Sequence, residues 1–299
     1  MEGCYVAGAD PELMLRNPEG DLVSAIPFIK GTKVKPLPIE GGAIQHDNVM
    51  AEFNIDPANS SEEMEHNMRT VLGGLAKHVA PNRITVQAYA EYPEEALKHR
   101  TAKKFGCDPD FSAWPNEDGI LTMNSVDGSK AFEPFRSAGG HWHVGYKDET
   151  RGMLSNGYGK IEVVKMMDVF MGIPSVVLDN DPTSNERRSL YGQAGSHRPK
   201  EYGVEYRALG NFWVISPQHT VLMYELCDLA VRLCLDEESE NVIEAIGQSN
   251  VMDCINKSDA KLAAELITGP LSKYIPTTLM PAIFADTPTL DVYQTWGLN

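Results

Sequence analysis

Hydrophobic spacing along the chain switches between a two-residue and a 3.6-residue period, and the switches delimit the elements. Residues 4 to 16 alternate as a strand interrupted by Pro11, and AIQHDNVMAEFNID (43 to 56) reads as a second strand. A helix follows. Ser60 with Glu63 three positions on makes a capping box, and Met64, Met68, Val71, Leu72, Leu75 and Val79 then recur at helical spacing. ITVQAYAEY (84 to 92) predicts a strand. Residues 106 to 135, rich in Asp, Pro, Asn and Gly, predict a long loop, a feature that often carries function in a compact domain. GGHWHVGY (139 to 146) is a short strand, and a helix is expected over about 159 to 172 with Val163, Val164, Met167 and Phe170 on one face. Residues 179 to 203 are loop-like, and GVEYRALGNFW (203 to 213) is a strand. Ser216 and Pro217 supply an N-cap and a first helical residue for a largely helical C-terminal third. Pro270 ends the last full helix and leaves a tail rich in Pro and Thr.

Strands and helices do not alternate strictly. The order predicts an α+β fold with an antiparallel or mixed sheet rather than a doubly wound one. No internal repeat, low-complexity tract or linker interrupts the chain.

Four of these strands share a habit. Positions i and i+2 of a strand point to one face. Asp10 and Glu12, Glu52 and Asn54, His141 and His143, and Glu205 and Arg207 are each two apart, with apolar neighbours. Any half-solvated antiparallel sheet alternates polar and apolar residues. A solvated face, however, usually carries Thr, Lys, Ser and Arg, whereas these pairs are Asp/Glu, Glu/Asn, His/His and Glu/Arg. Gly8, Gly139, Gly140, Gly145 and Gly203 lie close by and permit close approach of a ligand or of backbone.

If the four strands share one sheet, Asp10, Glu12, Glu52 and Glu205 converge. Unit charges roughly 4 Å apart repel by about 1 kcal/mol in water and about 4 kcal/mol at an effective dielectric near 20. Such a cluster raises its pKa values or recruits cations. Oxygen ligands with an imidazole suit Mg²⁺ or Mn²⁺, as one ion or two. Zinc is the rival, with H-x-H and carboxylates forming a hydrolase site, although the sequence has no H-E-x-x-H and no Cys/His cluster.

The segment ERRSLYGQAGSHRPKEYG adds Arg187, Arg188, Arg198 and Lys200, spaced by glycines and feeding into Glu205 and Arg207. The guanidinium fork matches phosphate oxygens. No P-loop or Rossmann fingerprint is present. Carboxylate-held metals on one side and arginines on the other still complete a kit for phosphoryl transfer.

Bulk properties narrow the classes. The 299 residues suffice for one large domain or two, and 42% hydrophobic with 23% charged residues is ordinary for a globular protein. A net charge of −16 argues against broad nucleic-acid binding. No apolar run of about 18 residues predicts a membrane span. The start MEGCYVAGADPEL has no basic and apolar leader pattern, so a cytoplasmic protein is expected. Cys4, Cys107, Cys227, Cys234 and Cys254 are scattered, as expected of reduced thiols.

The motifs GADPELML, HDNVMAEFN, GGHWHVG, RRSLYGQAGSHRPK and YGVEYRALGNFW, in this order over roughly residues 5 to 215, resemble a known family. The chain is similar to the carboxylate–amine ligases of the glutamine synthetase and glutamate–cysteine ligase superfamily, and more narrowly to the phage-associated COOH–NH2 ligases of type 2. The resemblance implies a curved antiparallel sheet with helices on its outer face. It also implies a catalytic core over residues 1–215, with 216–299 a helical part of the same domain. The implied reaction is ATP-dependent amide formation through an acyl phosphate, with Mg²⁺ or Mn²⁺ in two sites. Asp10, Glu12, Glu52, His141 and Glu205 match the metal ligands, and Asp47 is a further candidate of different spacing. His143 would approach the nucleotide phosphates. Arg188, Arg198 and Arg207 match the catalytic and phosphate-binding arginines, and Arg187 could exchange roles with Arg188. Asn54 and Asn211 would contact substrate. The substrate pockets of the better-known members are not recognisable, so the carboxylate and the amine, small-molecule or peptide, stay open, as does the oligomeric state. A phage-encoded protein would act in the host cytoplasm. The 106–135 loop is a candidate lid. A zinc hydrolase, a guanidino-type kinase on this fold and a non-catalytic binding protein remain alternatives.

Overall fold

The computed structural model describes residues 4–103, 110–116, 118–124, 133–285 and 291–298. In chain order, the first half holds β1 (Tyr5–Arg16), β2 (Leu22–Val23), β3 (Leu37–Ile39), β4 (Gly42–Asp47), β5 (Met50–Ile55), α1 (Ser61–Val79), β6 (Arg83–Thr85) and β7 (Tyr89–Glu91). Next come β8 (Asp110–Pro115), β9 (Leu121–Asn124), β10 (Phe135–Ser137), β11 (Gly140–Tyr146), α2 (Arg151–Leu154), α3 (Gly157–Met167), α4 (Ile173–Leu178) and α5 (Ser184–Arg188). β12 (His197–Lys200) and β13 (Gly203–Tyr206) complete the strands. The C-terminal part is helical: α6 (Pro217–Leu235), α7 (Ser239–Ile246), α8 (Gln248–Asn256), α9 (Ala260–Thr268), α10 (Met280–Ile283) and α11 (Val292–Trp296).

An 11-stranded sheet runs β3-β4-β5-β1-β11-β13-β12-β8-β9, with β2 and β6 also on β1, and β10 pairs with β7 apart from it. Its described pairings are antiparallel, as an α+β fold requires. One face buries Leu13, Leu15, Phe53, Trp142, Val144, Val204 and Tyr206. Helices α1, α3 and α6 pack beneath the sheet, and Trp142 meets Trp213 edge-on at 5.2 Å. Among the described residues no helix is long and apolar enough to cross a membrane.

Local chemistry explains the elements. Ser60 Oγ accepts from Glu63 N at 3.2 Å, and the Glu63 carboxylate accepts from Asn59 N at 2.7 Å, so the cap closes one residue earlier than a standard box. Ser216 Oγ caps α6 through His219 N at 3.3 Å.

Several boundaries differ from expectation. β1 runs through Pro11, which sits opposite Gly140 in the β11 register. Residues 43–56 form a hairpin rather than one strand, because Asn48 takes φ 54° and turns the chain between Asp47 and Met50. The 84–92 stretch divides into β6 and β7, which belong to different sheets. The 159–172 helix continues as a π turn over Asp168–Gly172 and then α4. Pro174 explains the change of pitch, since it has no N–H and its ring crowds the preceding turn. The expected loop at 179–203 contains α5 and β12, and β13 ends at Tyr206. Much of the 106–135 stretch is the β8–β9 hairpin. Residues 106–109, 117 and 125–132 of the candidate lid lie outside the described residues, as does Cys107.

Candidate active site

The strand register builds the site. Antiparallel pairing places Glu12 opposite Glu52, Asp10 opposite His141, His143 opposite Glu205, and Arg198 opposite Glu205. Side chains directly across an antiparallel pair lie roughly 5 Å apart at Cβ. Four adjacent strands, β5-β1-β11-β13, therefore lay acids and imidazoles in a row, and β12 adds an arginine. Arg207 lies just past β13, where its N–H donates to Ser196 O at 2.9 Å and keeps the E-x-R side chains together.

Contacts within the row are direct. Asp10 Oδ1 lies 3.2 Å from His141 Nδ1 and 3.0 Å from His143 Nε2. Glu205 pairs with Arg207 and, at 2.6 Å, with Lys200 Nζ. Arg207 Nε also reaches Asp110 Oδ1 at 2.8 Å, and Arg198 Nε reaches the same oxygen at 3.2 Å. The Glu12 carboxylate accepts from Gly139 N at 2.7 Å. A Cβ at Gly139 would collide with the His141 imidazole, so this ring position depends on glycine. Lys33 Nζ enters from the β2–β3 connection and pairs with Asp47 at 2.7 Å.

Burial and neighbours set the charges. Burial, with the Asp47 charge added, pushes Glu12 up to about 8. Burial together with Asp10, Asp47 and Glu12 raises Glu52 well above the carboxylate range. For Asp10, burial opposes ionisation, but His143 and His141 outweigh it and hold the carboxyl well below its ordinary value. Glu205 is likewise buried, yet His141 and Arg207 bring it down to about 2 despite Asp10. Burial and Arg207 lower His141, whereas Asp10 overcomes burial to raise His143.

The residues fit a divalent cation. Asp10, His143 and Glu205 each offer a donor atom within 4.8 Å of the others. Glu52, 4% exposed, has an Oε2 without a hydrogen-bond partner among the described residues. A buried acid left this way is costly unless a cation arrives. Oxygen donors with one imidazole suit Mg²⁺ or Mn²⁺. His141, the expected ligand, stands beside this set, with Nδ1 3.2 Å from Asp10, 3.8 Å from Glu205 and 3.2 Å from the Arg207 guanidinium.

The other expected residues divide. Arg187 lines a cleft of about 80 Å³ with Glu12, Asp47, Asp110, His141 and Arg207. Its guanidinium donates to Ala138 O at 2.8 Å and to Ala208 O at 3.3 Å, bracing the start of β11 against the end of β13. Gly192 (φ 74°) leaves room for that side chain. Arg188 is turned away from the cleft toward the helices, where it donates to Ile255 O and to Ser175 Oγ, each at 3.1 Å. Consecutive residues of a short helix point in different directions, so one arginine faces the cleft and the other the core. Asn211 is buried and donates to Glu12 O at 2.7 Å and Gln87 O at 3.2 Å; it fixes the β1 backbone. Asn54 borders a second cavity, of about 450 Å³, with Gly8, Asp10, His143 and Tyr202.

Sequence reasoning missed Lys33, Asp110 and Asp168. Asp110 heads DFSAWP, whose alternation was available but lay inside a stretch read as loop. Asp168, in the π turn, accepts from Trp114 Nε1 at 2.5 Å and Tyr206 Oη at 2.6 Å, tying β8 and β13 from below. Burial raises it to about 7.

A comparison with family models agrees with the motif resemblance. Residues 119–249 match the family described as phage phiEco32-like COOH.NH2 ligase-type 2. That stretch includes His141, His143, Arg198, Glu205 and Arg207, whereas Asp10, Glu12, Asp47 and Glu52 precede it. Among solved structures, a bifunctional glutathione synthetase from Pasteurella multocida is similar at a TM-score of 0.44 and 10% identity, over 98% of this chain. The chain spans about half (48%) of that protein. No match to a protein of curated function was found.

Proposed function

We propose that the chain is an ATP-dependent carboxylate–amine ligase built on a glutamine-synthetase-like sheet. Residues 1–215 form its catalytic core and residues 216–299 a helical part of the same domain. The observation that carries the reading is the single row of Asp10, Glu12, Glu52, His143 and Glu205 across four strands, ending at Arg207 and Arg198. The family match supports the reaction class, since that family is named for joining a carboxylate to an amine.

Asp10, His143 and Glu205 would hold one Mg²⁺ or Mn²⁺, and Glu12, Glu52 and Asp47 a second. Such ions, when bound, neutralise phosphate oxygens. Arg207 and Arg198 stand at the end of the row, where charge spreads over the transferring phosphoryl group. The cavity of about 450 Å³ beside Asp10 and His143 has apolar walls from Val6, Ala9, Ile55 and Pro57 and suits the base of the nucleotide. The substrate carboxylate oxygen attacks the γ-phosphorus, the bond to the β–γ bridging oxygen breaks, and ADP leaves. The amine nitrogen then attacks the acyl carbon. Phosphate departs with the C–O electron pair, and the amine loses a proton to solvent. Burial of Glu12, His141 and Arg207 keeps water from the acyl phosphate. The substrates are small-molecule or peptide carboxylates and amines, and the protein works in the cytoplasm.

Hydroxylamine, a general trap for acyl phosphates, provides the test. With ATP, Mg²⁺ and a panel of amino acids and dipeptides, the reading predicts hydroxamate and ADP in equal amounts. Hydrolysis of peptides without ATP, by protein that co-purifies with zinc, would replace it with the hydrolase reading.

A further inference from the structure

The acids of the row face cations of two kinds. Asp10 and Glu205 meet His141, His143 and Arg207, which are held by β11 and the end of β13. The group formed by Glu12, Asp47 and Glu52 meets Lys33, which rides on a turn. Residues 32–35 close on themselves through Thr32 N to Lys35 O and Lys35 N to Thr32 O, both 3.0 Å, and Val34 at the tip is 96% exposed. From this turn Lys33 Nζ reaches Asp47 at 2.7 Å while half of its side chain stays in solvent. Glu12 and Asp47 line one cleft with Lys33, and Glu52 stands opposite Glu12 in register. Glu52 Oε2 is buried and has no hydrogen-bond partner among the described residues. One ammonium thus serves three carboxylates and satisfies one of them.

We propose that Lys33 is a tethered cation that occupies the Glu12/Asp47/Glu52 group until a divalent ion displaces it, which frees the ammonium for an anionic substrate in the cleft. The exchange is favoured because a divalent ion carries twice the charge and contacts several oxygens at once. Breaking a half-exposed ion pair opposes it only weakly. The turn supplies the travel, since its own hydrogen bonds are internal and survive movement of the side chain. Lys33 already lines the cleft beside Arg187 and Arg207, so the released ammonium adds to a wall of positive charge. Metal loading and recognition of an anion are then coupled through one side chain. The proposal rests on the metal reading of the row and on nothing about ATP or amide formation.

Two measurements on the full chain, with Mn²⁺ as the probe and no nucleotide, test it. The first is acetylation by acetic anhydride with and without saturating Mn²⁺, read by mass spectrometry. Labelling of Lys33 is expected to rise several-fold, while exposed Lys77 on α1 stays constant. Unchanged or reduced labelling of Lys33 overturns the proposal. The second is calorimetric titration of wild type and Lys33→Met. Loss of a surface-type competitor is expected to lower the Mn²⁺ Kd about two- to five-fold. Equal or weaker affinity in the variant, or no Mn²⁺ binding in either protein, overturns it. A full Lys33 response in a protein that does not bind ATP would remove the ligase reading and leave this one standing.

Discussion

Asp168 is the buried acid whose behaviour can be worked out most fully. It lies in the π turn, wholly buried, between the Trp114 and Tyr206 donors. Burial dominates over both hydrogen bonds and lifts it from the ordinary carboxylate value to about 7. A raised pKa means that the folded state holds a proton which the unfolded state has released. The resulting stability is fully present below about pH 4 and is lost as pH rises through about 7. Between pH 5 and pH 8 the linkage amounts to roughly 2–3 kcal/mol. In Asp168→Asn this titration disappears, and one amide donor faces a donor already in place, at a cost of about 1–3 kcal/mol. Urea unfolding of both proteins at pH 5 and pH 8 checks the reasoning. The variant should be much less stable than wild type at pH 5, and the gap should narrow by roughly 2–3 kcal/mol at pH 8. A gap of the same size at both values would show that Asp168 does not change protonation in this range, and the argument from burial would fail.

Three further outcomes follow from the site. Glu52→Gln removes a buried acid whose Oε2 has no hydrogen-bond partner among the described residues, so the metal-free variant should melt several degrees higher than wild type at pH 8; it should also lose most of the stabilisation by Mn²⁺, both read by calorimetric melting. Arg188→Ala should destabilise the fold by about 2–4 kcal/mol through lost bonds to Ile255 and Ser175, yet leave ATP affinity within about two-fold, because its guanidinium is outside the cleft. Gly139→Ala should displace the His141 ring and weaken Mn²⁺ binding about ten-fold or more, measured by titration at a temperature where the variant remains folded.

The polar pairs at i and i+2 were legible because strand periodicity alone puts them on one face. Their mutual register was not, since it depends on which strands pair. The turn at Asn48 hid in HDNVMAEF, where no glycine or proline marks the change of direction, and so a hairpin read as one strand. That hairpin brings Asp47 back beside Glu12 despite its unexpected spacing. The adjacent arginines show a second limit: Arg187 and Arg188 are chemically identical, and only the orientation of a five-residue helix separates cleft from core. Lys33 carries no periodic signal. Its place is set by the length of the segment before β3 and by the acids it meets in space. Asp168 was read as an ordinary helical position because Pro174, which changes the pitch, comes six residues later.

Calorimetric titration of ATP, with and without Mg²⁺, on wild type, Glu12→Gln and Arg207→Ala tests the central claim most directly. The account predicts Mg²⁺-dependent binding to wild type, lost or weakened at least about ten-fold in both variants while Arg188→Ala binds normally. ATP binding that ignores Mg²⁺ and both substitutions, or no ATP binding by a protein that carries zinc, would contradict it.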